Sequence, residues 1–189
     1  MRVIAGLYRS RILKSLKGLA LRPTSDQLRE TLFNVLSDAV DGRRFIDVFA
    51  GTGAVGIEAL SRGAVEVVFI ENHAPAAALI RRNLESLDVR SGATVVVADA
   101  LRGLEKLAAK HRAGQPGYDF VFVDPPYAAA QEYAQVLGFL GATSILAAGA
   151  RVIVEHRRNF ELPEQVGRLG RVRVLRQGDA ALSFFAVET

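Results

Sequence analysis

Cysteine is absent from this 189-residue chain, which excludes disulfides, thiolate nucleophiles and any metal site built on sulfur. Histidine is scarce. His73, His111 and His156 are scattered without metal-ligand spacing, so each reads as a surface or loop residue and no metal is expected. Met1-Arg2-Val3-Ile4-Ala5-Gly6 lacks the apolar core of a signal peptide. The uncharged stretch at residues 134–150 is interrupted by Gly138, Gly141 and Gly149, and it is shorter than the ~20 apolar residues of a spanning helix. A cytoplasmic soluble protein is the default expectation, and a monomer is expected. Acidic residues are missing from positions 1–25, which hold Arg2, Arg9, Arg11, Lys14, Lys17 and Arg22. A one-signed cluster of this kind is the electrostatic footprint of a polyanion partner, with nucleic acid favoured. A second basic stretch, Arg157, Arg158, Arg168, Arg171, Arg173 and Arg176, reads equally well as an ordinary solvated face.

Half of the residues are hydrophobic and 23% are charged, a globular composition for one domain with a small appendage. Strand-like runs at residues 45–49, 65–71, 94–99, 118–124, 150–156, 171–176 and 182–187 alternate at first with helical patterns at 54–62, 74–87, 101–110 and 131–140. Ala77, Ile80, Leu84 and Leu87 recur at helical spacing. Alternating βα units with near-continuous apolar strands predict an α/β fold, a parallel sheet covered on both faces. The last two runs flank Gln177-Gly178-Asp179-Ala180 and predict a hairpin that adds an antiparallel strand. Residues 1–44 read as an N-terminal extension on a domain at 45–189. It comprises a basic hairpin-like stretch over 2–16 turning near Gly6, then a capping box at Thr24 and Gln27 that opens a helix with Leu28, Leu32, Val35 and Leu36. Gly114-Gln115-Pro116-Gly117 is the clearest surface loop.

Two strand ends carry chemistry. The first runs through Asp47-Val48-Phe49-Ala50 into Gly51-Thr52-Gly53-Ala54-Val55-Gly56. That is G-x-G-x-x-G between a strand and a helix, where glycines permit a tight turn and close approach of a ligand to the backbone. Glu71 ends the second strand, twenty residues after Gly51, and a carboxylate there can accept both hydroxyls of a ribose. Asp99, at the end of the third, can accept from an adenine amino group. Asp47 and Phe49 either contact the cofactor or simply cap and pack. A dinucleotide and S-adenosylmethionine both fit, but no acid or base suited to hydride chemistry is evident.

The fourth strand ends in Asp124-Pro125-Pro126-Tyr127. Asp accepts hydrogen bonds from an amine, the proline lacks an N–H and leaves its carbonyl to accept, and Tyr127 offers a face for a base to stack on. If strands one and four are neighbours, this amine pocket lies beside the glycine loop, and the pair implies methyl transfer to a nitrogen.

Several segments together resemble a known family: Arg2-Val3-Ile4-Ala5-Gly6, Leu21-Arg22-Pro23-Thr24-Ser25-Asp26, Arg29-Glu30-Thr31-Leu32-Phe33-Asn34, residues 49–63 and Asp124-Pro125-Pro126-Tyr127. In order and content they are similar to the bacterial 16S rRNA (guanine-N2)-methyltransferases of the small-subunit rRNA methyltransferase D family. The loop and the Asp-Pro-Pro-Tyr turn are shared by many amino-methyltransferases, and the N-terminal segments are the more specific. Ser10 stands where a glycine is usual, and Gln177 where such proteins often carry another residue.

The resemblance implies a class I methyltransferase fold, a seven-stranded sheet with its last strand antiparallel. It implies methylation of N2 of one guanine, 966 in 16S rRNA, with S-adenosylmethionine as donor. Asp124, Pro125 and Tyr127 would act on the base, and Asp47, Phe49, Gly51, Thr52, Gly53, Glu71 and Asp99 would hold the donor. Arg2, Arg9, Arg11, Lys14 and Arg22 would hold RNA phosphates. Arg22, Arg29 and Asn34 read as residues near the pocket, and Arg29 and Glu30 read equally as plain helix-surface charges. The alternatives are methylation of adenine N6 or cytosine N4 in DNA, for which no target-recognition domain is evident, and a non-catalytic RNA-binding assembly factor.

Overall fold

The computed structural model describes residues 1–15, 26–126 and 130–187. Thr24 of the expected capping box, Lys17, Arg22 and Tyr127 fall outside them. After α1 (Asp26–Leu36) and a short 3₁₀ turn (Ser37–Val40), strands and helices alternate. They are β1 (Arg44–Val48), α2 (Ala54–Ser61), β2 (Glu66–Glu71), α3 (Ala74–Ser86), β3 (Ala93–Val97), α4 (Ala100–Lys110), β4 (Tyr118–Val123), α5 (Ala130–Ala142) and β5 (Leu146–Arg157). The chain finishes with β6 (Gln165–Val166), β7 (Leu169–Gln177) and β8 (Ala180–Val187). The sheet order is β3-β2-β1-β4-β5-β8-β7-β6. Strands β1 to β5 are mutually parallel, and β8 runs antiparallel to both β5 and β7. This is the α/β sheet the sequence predicts and the class I methyltransferase architecture the resemblance implies, with one strand more than the expected seven. The addition is the two-residue β6, too short to leave a period-2 pattern in the sequence.

Each central strand buries both faces because a layer of helices covers each side. Phe45, Phe120, Phe122 and Phe184 enter one core with α1, α2 and α3, whereas Ile46, Val48, Val121 and Val123 enter the other with α4 and α5. The phenylalanines of the first core form a stacked series, with Phe33–Phe45 and Phe45–Phe120 ring centroids 6.4 and 6.2 Å apart. The helices change face between the β1–β3 and β4–β5 halves of the sheet, so the crevice opens at the carboxyl ends of β1 and β4. Among the described residues no helix is long and apolar enough to cross a membrane.

The first 15 residues form the expected hairpin. The Val3 N–H donates to Arg11 O (3.0 Å), Leu13 N–H to Met1 O (3.2 Å) and Ser10 N–H to Val3 O (2.9 Å). Val3 and Leu13 enter the α1–α2–α3 core, each contributing about 1.5–3 kcal/mol of burial. Ser10 has φ +67° and Gly6 φ +79°. The first is a left-handed conformation that glycine adopts without penalty, which accounts for the glycine usual at that position.

One expectation about histidine is corrected. His156 is not a surface or loop residue; it is buried within β5. Its Nδ1 lies 2.8 Å from Arg157 O and its Nε2 2.8 Å from Ser183 Oγ, and burial lowers its pKa. Both ring nitrogens find partners, which is how a core accepts an imidazole.

Candidate active site

At the end of β1 the backbone turns through three left-handed residues, Phe49 (φ +64°), Gly51 (φ +54°) and Gly53 (φ +79°). Gly53 is the N-cap of α2, and a Cβ there would crowd Ile80 at 3.1 Å. Gly56 is required for a different reason: a Cβ on it would press into Phe69 and lie 2.9 Å from Val67 Cγ1. The third glycine of the motif therefore brings α2 close to β2.

Two carboxylates brace this loop. Asp47, buried in β1, accepts from Gly56 N–H at 2.8 Å, satisfying one of the open donors in the first turn of α2. Burial pushes its pKa up to about 8; the Gly56 bond opposes that rise and the Glu71 charge adds to it. Glu71, also buried, accepts from Gly51 N–H at 2.7 Å and from His73 N–H at 2.8 Å, joining the loops after β1 and β2. An ionised carboxylate has about four acceptor positions, so both oxygens retain capacity for ribose hydroxyls.

Asp99 serves as the N-cap of α4, its Oδ1 accepting from Arg102 N–H at 2.9 Å while the residue stays exposed. Phe49 packs half-buried against the α4–α5 core. Thr52 is buried beneath Met1, with its Oγ1 3.8 Å from Met1 Sδ. The loop, a buried acid with a raised pKa and a ribose-ready carboxylate fit an adenosyl cofactor that carries a cationic amino-acid end.

The Asp-Pro-Pro turn lies next to this loop. Val48 and Val123 are paired in the parallel β1–β4 ladder, and Asp124 N–H reaches Val48 O at 3.5 Å. Asp124 is half-buried, Pro125 buried and Pro126 exposed. A cavity of about 420 Å³ between α1 and the sheet is lined by Asp119, Phe120, Arg43, Arg151 and Arg173. It sits at the opposite end of β4 from Asp124.

Among the described residues, the basic side of the hairpin is spread along α2 and α3. Lys14 pairs with Asn83 beside the glycine loop, and Arg2 lies against Arg29, its carbonyl accepting from Arg29 Nη2 at 2.6 Å. Arg9 lies in the hairpin turn, whose Leu7 N–H donates to Ser61 O, and Arg11 donates to Ser86 O. Ser61 and Ser86 are the last residues of α2 and α3, a helix length away from the glycine loop.

Arg29 is not a helix-surface charge: it is fully buried, bonded to Asp26 at 3.0 Å and 3.9 Å from Glu58. Glu30 and Asn34 are exposed. Glu58, also fully buried, accepts from the backbone N–H groups of Ile4 (2.8 Å) and Ala5 (3.0 Å) and from Arg62 Nε (2.9 Å). Sequence reasoning gave Glu58 and Asn83 no role. A lone Glu inside the apolar helix Ala54–Ser61 was the available signal, because a buried carboxylate requires partners.

A family model described as "Conserved hypothetical protein 95" matches residues 1–186. "Putative rRNA methyltransferase YlbH" of Bacillus subtilis is 39% identical over 169 residues, 89% of each chain. "Ribosomal RNA small subunit methyltransferase D" of Haemophilus influenzae is 41% identical over 127 residues, 67% of this chain and 64% of that protein. Among solved structures, "Putative methyltransferase yhhF from Escherichia coli" superposes with a TM-score of 0.82 at 32% identity, covering 100% of this chain and 98% of that one.

Proposed function

This chain belongs to the conserved hypothetical protein 95 family, with small-subunit rRNA methyltransferase D among its relatives, and on that premise we propose that it methylates the exocyclic N2 amine of a guanine in 16S rRNA, guanine 966 by resemblance. S-adenosylmethionine supplies a methyl carbon on a sulfonium, which leaves as a neutral thioether. The observation that carries this reading is the β1–β4 pairing, which sets the Asp124–Pro125 turn against the glycine loop.

Glu71 holds the ribose, Gly51, Thr52 and Gly53 line the donor, and Asp47 faces its cationic end. Phe49 and Asp99 close the adenosine side. A guanine N2 lone pair is delocalised into the ring and is a poor nucleophile. The Asp124 carboxylate and the Pro125 carbonyl accept its two N–H bonds, which favours a pyramidal nitrogen whose lone pair points outward, and once the N–C bond has formed one of these protons leaves to solvent by way of Asp124. Tyr127 stacks on the base once it has left its own stack. Positioning of this kind supplies up to ~7–11 kcal/mol of the barrier reduction. Arg2, Arg9, Arg11, Lys14 and Arg22 hold RNA phosphates, making binding salt-dependent. The reaction takes place in the cytoplasm, with a monomer sufficient for it and residues 1–44 acting as the RNA-facing extension of the 45–189 domain. Mass mapping of small-subunit rRNA from a deletion strain tests the reading: one N2-methylguanine is lost, and an unchanged map contradicts it.

A further inference from the structure

Asn83 lies on α3, fully buried, and its amide makes three hydrogen bonds. Oδ1 accepts from Lys14 N–H at 2.9 Å, and Nδ2 donates to Lys14 O and to Thr52 O, both at 3.2 Å. The amide can take only this orientation, because the reverse one would set its oxygen against two carbonyls. One planar group thus pairs with both backbone groups of a hairpin residue, as a neighbouring strand would. The same group also grips the middle residue of the glycine loop.

The rest of the hairpin is held by the other helix that leaves the site. On α2, Glu58 binds the N–H groups of Ile4 and Ala5, Ser61 Oγ donates to Ala5 O at 2.5 Å, and Tyr8 N–H donates to Ser61 Oγ at 2.9 Å. Helices α2 and α3 follow the two loops that Glu71 joins. The RNA-facing hairpin and the methyl-donor loop therefore share one frame, and Asn83 bonds to both.

Resting on the proposed function, we infer that Asn83 is a positioning residue for methyl transfer, holding the RNA-binding hairpin in register with the donor loop. A misplacement of about 1 Å between reacting groups costs on the order of 10²-fold in rate. A hairpin released from Thr52 still binds RNA through its arginines, but it presents the base to the donor out of line.

The test uses the full-length chain and small-subunit rRNA. Asn83→Ala should lower kcat roughly 10- to 100-fold, with KM for rRNA and Kd for S-adenosylhomocysteine within about threefold of wild type. Asn83→Asp, of the same size, keeps an acceptor for Lys14 N–H but loses both donors, and should show the same split. Leu84→Ala, the next residue of α3 and a member of the same core, lowers stability without touching the link. Assayed well below its melting temperature, it should keep wild-type kcat. Wild-type kcat in both Asn83 variants, a loss confined to KM, or an equal kcat loss in Leu84→Ala each overturns the inference. A wild-type protein inactive on rRNA overturns the proposed function and this inference with it.

Discussion

The two loops that meet in the crevice are built differently. After β1, two carboxyl groups brace the backbone: Asp47 holds Gly56, and Glu71 holds Gly51 and His73, at 2.7–2.8 Å. After β4, the turn brings an acid and two prolines to the end of a six-residue apolar strand, with its first N–H at 3.5 Å from Val48 O. The donor loop is braced by short bonds from backbone N–H groups to two buried carboxyl groups, whereas proline's fixed φ restricts the turn. A donor site that must hold one geometry gains from bracing. At the end of β4 the two prolines limit the backbone instead.

That contrast can be broken one side at a time. Asp124→Ala should cost the most, about 10²–10³-fold in kcat, while calorimetry reports unchanged affinity for S-adenosylmethionine; an active variant removes Asp124 from the chemistry. Glu71→Ala should weaken donor binding roughly 10- to 100-fold, from lost charge-assisted bonds, and equal affinity would refute the ribose contact. Tyr127→Ala should lower turnover about tenfold, the size of one stacking contact, without changing donor affinity. Unchanged turnover on ribosomal substrate would exclude that contact.

The smallest effect concerns protons. Burial pushes the Asp47 carboxyl in the folded protein up to about 8 from its ordinary value of 3.8. The folded state therefore keeps a proton that the unfolded chain sheds between about pH 4 and 8. This group's contribution to stability is fully present below that window and declines as pH rises through it. A cationic donor end reverses the preference and favours the carboxylate. Calorimetry of S-adenosylmethionine binding at pH 7, in buffers of different ionisation enthalpy, should show release approaching one proton in wild type and less in Asp47→Asn. Equal release in both would remove Asp47 from the cationic end.

Most of the framework was legible because its signals are local. Apolar runs such as Tyr118–Val123, helical spacing on α3 and the glycines after β1 each act within a few residues. The crevice followed from β1–β4 adjacency, which the parallel βα pattern implies. What escaped depends on partners distant in sequence. Glu58 meets Ile4 across 54 positions, Asn83 meets Lys14 across 69, and His156 meets Ser183 across 27. No periodicity encodes those pairs. Asp99 was legible only as a strand-end acid, because its engagement as the α4 cap depends on where the helix begins.

The measurement that bears most directly on the central claim uses purified protein, methyl-labelled S-adenosylmethionine and small-subunit rRNA from a strain lacking this chain. After digestion to nucleosides, the account predicts label in N2-methylguanosine from a single site. Label in N6-methyladenosine or N4-methylcytidine, or none at all, would contradict it.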